Sequence, residues 1–249
     1  MMIKITEKCS MYCGHCLNNA TSHGSHMTLA TFQKAIEFQK EYGGPFCIIT
    51  GGEPTEHPLF PYFIGLFMEQ LTDCFVTVAT NGVWMQDNES FIRNMNEIYG
   101  PRLMFQVTND KRYYPTRINL SLPVFELNNV IVCEELARIY PQGRALFNDL
   151  EWESKGSKCF NVRAITHQIG IKDLRNIIGM LAVKQKFCTP HISINGEIKL
   201  GESDLCPACS HIDKTHDEII KDILEFRCDG CKHVNDNLPH EYRQVIGEP

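Results

Sequence analysis

The sequence predicts an α/β fold, a parallel sheet with helices packed outside it, on three observations. Strand, turn and helix units repeat along the chain. The strand-like runs "CIIT", "FVTVAT" and "LMFQV" are short, apolar and rich in β-branched residues, as buried parallel strands are. The 43% hydrophobic and 22% charged content across 249 residues suits a globular chain with a large core.

The elements follow in order. "IKIT" reads as a first strand leading into a cysteine-rich loop. "TLATFQKAIEFQKEYGG" places Leu29, Phe32, Ile36 and Phe38 at mostly helical spacing, with Thr28 as N-cap and Gly43 as the stop. "PFCIITGGEP" is a buried strand ending in a glycine turn, and "HPLFPYFIGLFMEQL" is the next helix. "CFVTVATNG" repeats the strand and turn, and "ESFIRNMNEIYG" follows as a helix. "RLMFQVTND" and "NNVIVCEEL" supply two more strands, and "IKDLRNIIGMLAVKQK" a late amphipathic helix. In such sheets ligands sit at the carboxyl ends of the strands, so the cysteine loop, "TGGEP", "TNG" and "TND" are expected on one rim.

A net charge of −6 and a pI near 5.9 argue against broad capture of nucleic acid, which needs Lys and Arg against phosphate. No run of about eighteen apolar residues is present to span a bilayer, and "MMIKITEKC" lacks an apolar export region, so a cytoplasmic protein is expected. In a reducing compartment the 12 cysteines point to metal or redox chemistry rather than disulfides. Cys9, Cys13 and Cys16 form one group; Cys188, Cys206, Cys209, Cys228 and Cys231 form another. Cys47, Cys74, Cys133 and Cys159 stand apart, and Cys47 and Cys74, inside strand-like runs, read as small core hydrophobes.

"CSMYCGHC" supplies three thiolates, where four would close a zinc or iron-sulfur site. Three on a four-iron cluster leave one iron without a protein ligand. With "GGEP" at 51–54 after the second strand, the chain resembles the radical S-adenosylmethionine (SAM) superfamily over about its first 150 residues. The resemblance implies a partial (β/α)6 TIM-like barrel over 1–187, a 4Fe-4S cluster on Cys9, Cys13 and Cys16, and SAM on the open iron. In the family, an electron from the cluster cleaves SAM to a 5′-deoxyadenosyl radical that takes hydrogen from a substrate. It also implies a low-potential electron donor such as flavodoxin or ferredoxin.

By resemblance, backbone at Gly51 and Gly52 approaches the cofactor ammonium and Glu53 adds an acceptor; a plain strand-ending turn is the alternative. His15 stands where the family places a residue by the adenine, or is a solvated loop histidine. Thr108 and Asp110 stand where relatives meet the ribose, or cap a turn. Arg144, in "PQGRAL", would pair with the cofactor carboxylate or lie on the surface, and Asn81 has a rim position or makes an Asn-Gly turn. "GSHM" at 24–27 looks like a cloning scar but precedes a well-patterned helix, and is read as native.

"CPAC" and "CDGC" have the spacing of a structural zinc site. Against that, Cys188 opens a stretch with an expected hairpin at Asn195-Gly196 and a second cysteine at 206. This resembles the twitch domain, the short relative of SPASM, and implies a small cysteine-rich domain over 188–249 with a second, auxiliary 4Fe-4S cluster on Cys188, Cys206, Cys228 and Cys231. Cys209 is then spare. The helix-like "DEIIKDILEF" suits either site. An auxiliary cluster can accept the electron left on a substrate radical, giving net oxidation. Only eight residues precede Cys9, too few for the leader-binding domain of many peptide-modifying relatives, so a small-molecule substrate is favoured. The alternatives are a peptide maturase, a base modifier using "NDKRYY" at 109–114, and a non-catalytic zinc protein.

Overall fold

The computed structural model describes residues 1–114, 118–134, 143–148, 150, 190–201 and 207–226. The late helix expected over 171–186 and Cys159, Cys188, Cys206, Cys228 and Cys231 lie outside the described residues.

β1 (Met2–Thr6), β2 (Phe46–Gly51), β3 (Phe75–Thr80), β4 (Leu103–Thr108) and β5 (Val130–Cys133) pair in parallel in sequence order. α1 (Leu29–Tyr42), α2 (Phe60–Gln70) and α3 (Glu89–Tyr99) form the connections, so the expected α/β architecture is present. β6 (His191–Ile192) also runs parallel, but it lies against β1, not beside β5. β7 (Glu197–Lys199) and β8 (Ala208–His211) then extend the sheet antiparallel, giving the order β5-β4-β3-β2-β1-β6-β7-β8. The hairpin turns where expected: Gly196 takes φ 87°, and its N–H donates to the Ser193 carbonyl.

Two of the helices have clear local reasons for their limits. The Thr28 hydroxyl accepts from the Thr31 N–H at 3.1 Å, satisfying an otherwise orphaned donor at the start of α1. Gly43 ends it with φ 70°, returning its N–H to the Gln39 carbonyl. Ahead of the last helix, α5 (His216–Glu225), Thr215 and Glu218 form a reciprocal capping box. A short α4 (Gly143–Phe147) stands apart from these.

The core lies between one sheet face and the helices. Cys47, Ile49, Val76, Val78, Leu103, Phe105 and Val107 are buried in one cluster with Phe32, Phe63, Phe67 and Ile92. Phe32 of α1 stacks on Phe63 of α2 at 4.0 Å between ring centres. Burial of each such side chain contributes about 1.5–3 kcal/mol. Cys47 and Cys74 are buried as core hydrophobes, their thiols pushed up by burial to about 12 and about 11. On the opposite face of the sheet, Ile48, Thr50, Thr77, Ala79, Met104 and Thr108 are only half-buried. Among the described residues no helix is long and apolar enough to cross a membrane.

Candidate metal centre

The cysteine loop leaves the carboxyl end of β1 and is sewn back onto it. Glu7 N–H donates to Ser25, Cys9 N–H to Thr21 and Met27 N–H to Ile5. Tyr12 and Asn19 hold positive φ, at 55° and 48°. For Asn this is common; for Tyr it is strained, a feature that concentrates at functional sites.

Cys9 and Cys13, each 8% exposed, pack in one buried cluster with Met11 and Ala20, and Cys16 and Tyr114 pack against it. Burial raises the Cys9 thiol, and burial with the nearby Cys9 and Cys16 pushes Cys13 up to about 12. Without a cation Cys9 and Cys13 therefore keep their protons, which a bound metal would displace. Among the described residues no three His, Cys, Asp or Glu side chains converge on one metal ion.

The strand-end glycines lie against the loop for a steric reason. Gly52 N–H donates to Thr6 and Glu53 N–H to Lys8, each at 2.7 Å, continuing the β1–β2 ladder. A Cβ on Gly51 would stand 2.6 Å from the Thr6 carbonyl oxygen, and one on Gly52 only 2.3 Å from that of Lys8. Close backbone approach thus requires both glycines before any cofactor is considered. Gly52→Ala is expected to lower unfolding free energy by about 2–4 kcal/mol in a urea titration, because backbone must move. An unchanged midpoint would show that the turn can relax.

Glu53 is not a free acceptor. Its Oε1 accepts from the Thr55 hydroxyl (2.7 Å), Thr55 N–H (3.2 Å) and Thr80 hydroxyl (2.7 Å), and its Oε2 from Asn81 N–H at 2.7 Å. Burial raises its pKa, and these four donors pull it back. The carboxylate ties the end of β2 to the end of β3. Asn81 itself makes the turn: its Oδ1 accepts from Val83 N–H at 2.9 Å.

The other rim residues meet around aromatic rings. His15 lies 5.2 Å from Tyr113 and 5.3 Å from Tyr114, centre to centre, and its Nδ1 is buried without a partner. Burial pulls its pKa down to about 4, so the imidazole is neutral at pH 7. Thr108 shares a hydrogen bond with the Tyr114 side chain, and burial raises that phenol. Asp110, 1% exposed, is gripped by Arg112 through Nε–Oδ1 at 3.0 Å and Nη2–Oδ2 at 2.7 Å, so its carboxylate is already paired.

Arg144 is buried, not a surface residue. Its Nε donates to the Cys13 carbonyl at 2.9 Å and its Nη1 to the Ala20 carbonyl at 2.7 Å and Asn19 Oδ1 at 3.2 Å. The guanidinium carbon stands 4.0 Å from the Tyr12 ring centre, and the Arg144 N–H donates to the Cys16 carbonyl.

Sequence reasoning missed two supports of the loop. Glu56 accepts from Ser10 N–H (2.6 Å) and Ser10 hydroxyl (2.8 Å), and Asn148 Nδ2 donates to the Gly14 carbonyl at 2.8 Å. Tyr113 and Tyr114 were visible in "NDKRYY", but their place beside His15 was not.

Residues 3–119 match the Radical SAM superfamily. The chain's fold is shared with BtrN in complex with AdoMet and 2-DOIA (TM-score 0.62, 14% identity, covering 98% of this chain and 87% of that one). It is also shared with anSMEcpe bound to AdoMet and the Cp18Cys peptide (TM-score 0.55, 13% identity, covering 98% and 84%). At that identity the likeness speaks to fold. No curated protein sequence matches the chain. Within the matched residues lie the three cysteines, His15, Gly51–Glu53, Asn81, Thr108 and Asp110; Arg144 lies outside them.

Proposed function

We propose that this chain is a radical SAM enzyme that oxidises a small molecule, with Cys9, Cys13 and Cys16 holding a 4Fe-4S cluster. The observation that carries the reading is the packing of these three cysteines in one buried cluster beside the Gly51–Glu53 strand end. Together, bound cluster and SAM supply a hydrogen-abstracting carbon radical. The chain's own residues bind and orient. Gly51 and Gly52 offer backbone, and neutral His15, lying between Tyr113 and Tyr114, offers an apolar face to an adenine. Glu53 and Asp110, with their carboxylates engaged, serve by fixing the turns that carry Asn81 and Tyr114. Thr108 sits with Tyr114 on the half-buried sheet face, where a ribose or substrate hydroxyl would meet it.

An auxiliary 4Fe-4S cluster on Cys188, Cys206, Cys228 and Cys231 would take the second electron, and the twitch-like division at residue 188 belongs to this reading. Two observations support it. β6 and β8 flank β7, so the strands that follow Cys188 and Cys206 in sequence begin at the same end of the sheet. Cys209 is accounted for elsewhere: its thiol donates to the Ile198 carbonyl at 3.2 Å, packs against the core and is pushed up to about 12 by burial. Structural zinc is the competing occupant.

BtrN holds 2-DOIA and anSMEcpe a peptide, so the fold serves both substrate sizes. Base modification is less favoured: Lys111 pairs with Glu134 and Arg112 with Asp110, leaving those cations engaged. A cytoplasmic setting with flavodoxin or ferredoxin as donor completes the proposal.

Anaerobic reconstitution should give iron and sulfide near about four per chain for one cluster or about eight for two. The reduced protein should release 5′-deoxyadenosine from SAM, and deuterated candidate metabolites should pass label into it. A colourless zinc protein without turnover would overturn the reading.

A further inference from the structure

Arg144 carries a donor that the chain does not use. Its Nε and Nη1 are spent on Cys13, Ala20 and Asn19, whereas Nη2 is buried with no hydrogen-bond partner among the described residues. The residue is 5% exposed and no described carboxylate forms an ion pair with it, so its positive charge is buried against carbonyl oxygens and the Tyr12 ring. A buried cation of this kind calls for an anion. Strain points to the same spot: Tyr12, held at φ 55° between Cys9 and Cys13, brings its ring centre to 4.0 Å from the guanidinium carbon.

Two anions come into question, the cofactor carboxylate and the iron-sulfur cluster. An arginine that grips a carboxylate in fork geometry needs two parallel N–H groups on one side. Here only Nη2 remains. The occupied nitrogens instead fix the guanidinium on the Cys13 carbonyl, beside the cysteine loop.

We infer that Arg144 is a positioning residue of the cluster: it closes the cysteine loop with Nε and Nη1 and presents Nη2–H to the anionic cluster itself, not to the carboxylate of SAM. The inference rests on the function proposed above. Hydrogen bonds and positive charge beside an iron-sulfur cluster favour its reduced form, so Arg144 raises the reduction potential.

The test is a redox titration of the reconstituted full chain, followed by EPR, without and with SAM. Arg144→Gln should lower the potential already without SAM, Arg144→Lys should lower it less, and the affinity for SAM should change by no more than about threefold. Arg144→Gln loses three loop hydrogen bonds that iron uptake could require, so the wild type offers a second measurement. Labelled with ¹⁵N-arginine and reduced without SAM, it should show weak nitrogen coupling to the cluster spin, and Arg144→Lys should lack it. An unchanged potential with a tenfold or greater loss of SAM affinity, or absence of the coupling, would overturn the inference while leaving the enzyme reading standing. A wild type that takes up no cluster would overturn both.

Discussion

On the function proposed above, replacing Cys13 with alanine is expected to abolish 5′-deoxyadenosine release and to leave the fold in place. The side chain lost is small, and the local frame does not depend on it: the Cys13 carbonyl, a main-chain group, is what accepts from Arg144 Nε and from Cys16 N–H. On the proposed function the chemistry does depend on it: two remaining thiolates would leave a second corner of the cluster without a protein ligand, exposing it to loss. Iron at the N-terminal site should fall below about one per chain, deoxyadenosine should drop to background, and the far-ultraviolet circular dichroism should match the wild type. Release at the wild-type rate would remove Cys13 from the centre and the proposed chemistry with it.

Glu53→Ala should cost the most stability. The carboxylate is 2% exposed and receives two hydroxyls and two backbone N–H groups. Its removal strands the Thr55 and Asn81 N–H groups in the interior, each at about 1–3 kcal/mol, while the hydroxyls can turn to other acceptors. A loss of about 3–5 kcal/mol is expected in urea unfolding of the cluster-free protein, and Glu53→Gln should recover part of it. A loss under about 1 kcal/mol would mean that water replaces the carboxylate, returning Glu53 to the role of a free cofactor acceptor.

The first half of the fold was legible because its signals are local. Thr28 and Gly43 bound α1 where cap chemistry put them, and the period-two burial of β2 and β3 follows from their alternating side chains. The triple cysteine and the glycine pair were legible as motifs, yet the reason for the glycines, backbone crowding at Thr6 and Lys8, was not. Contacts between distant parts of the chain left no trace in periodicity: Glu56 on Ser10, Arg144 on Cys13 and Asn148 on Gly14 span 46, 131 and 134 residues. Glu53 and Asp110 were singled out as cofactor contacts, but a sequence does not reveal that neighbours have already engaged their carboxylates. The placement of β6 beside β1 was equally hidden, since a two-residue pairing carries almost no pattern.

That last pairing bears on how the protein could be divided. β1 is an interior strand, flanked by β2 on one side and β6 on the other, and it is the strand that launches the cysteine loop. Cutting the chain before residue 190 would turn it into a raw sheet margin whose bare amides invite a neighbour's strand, so a trimmed N-terminal half would tend to clump just where iron must be loaded.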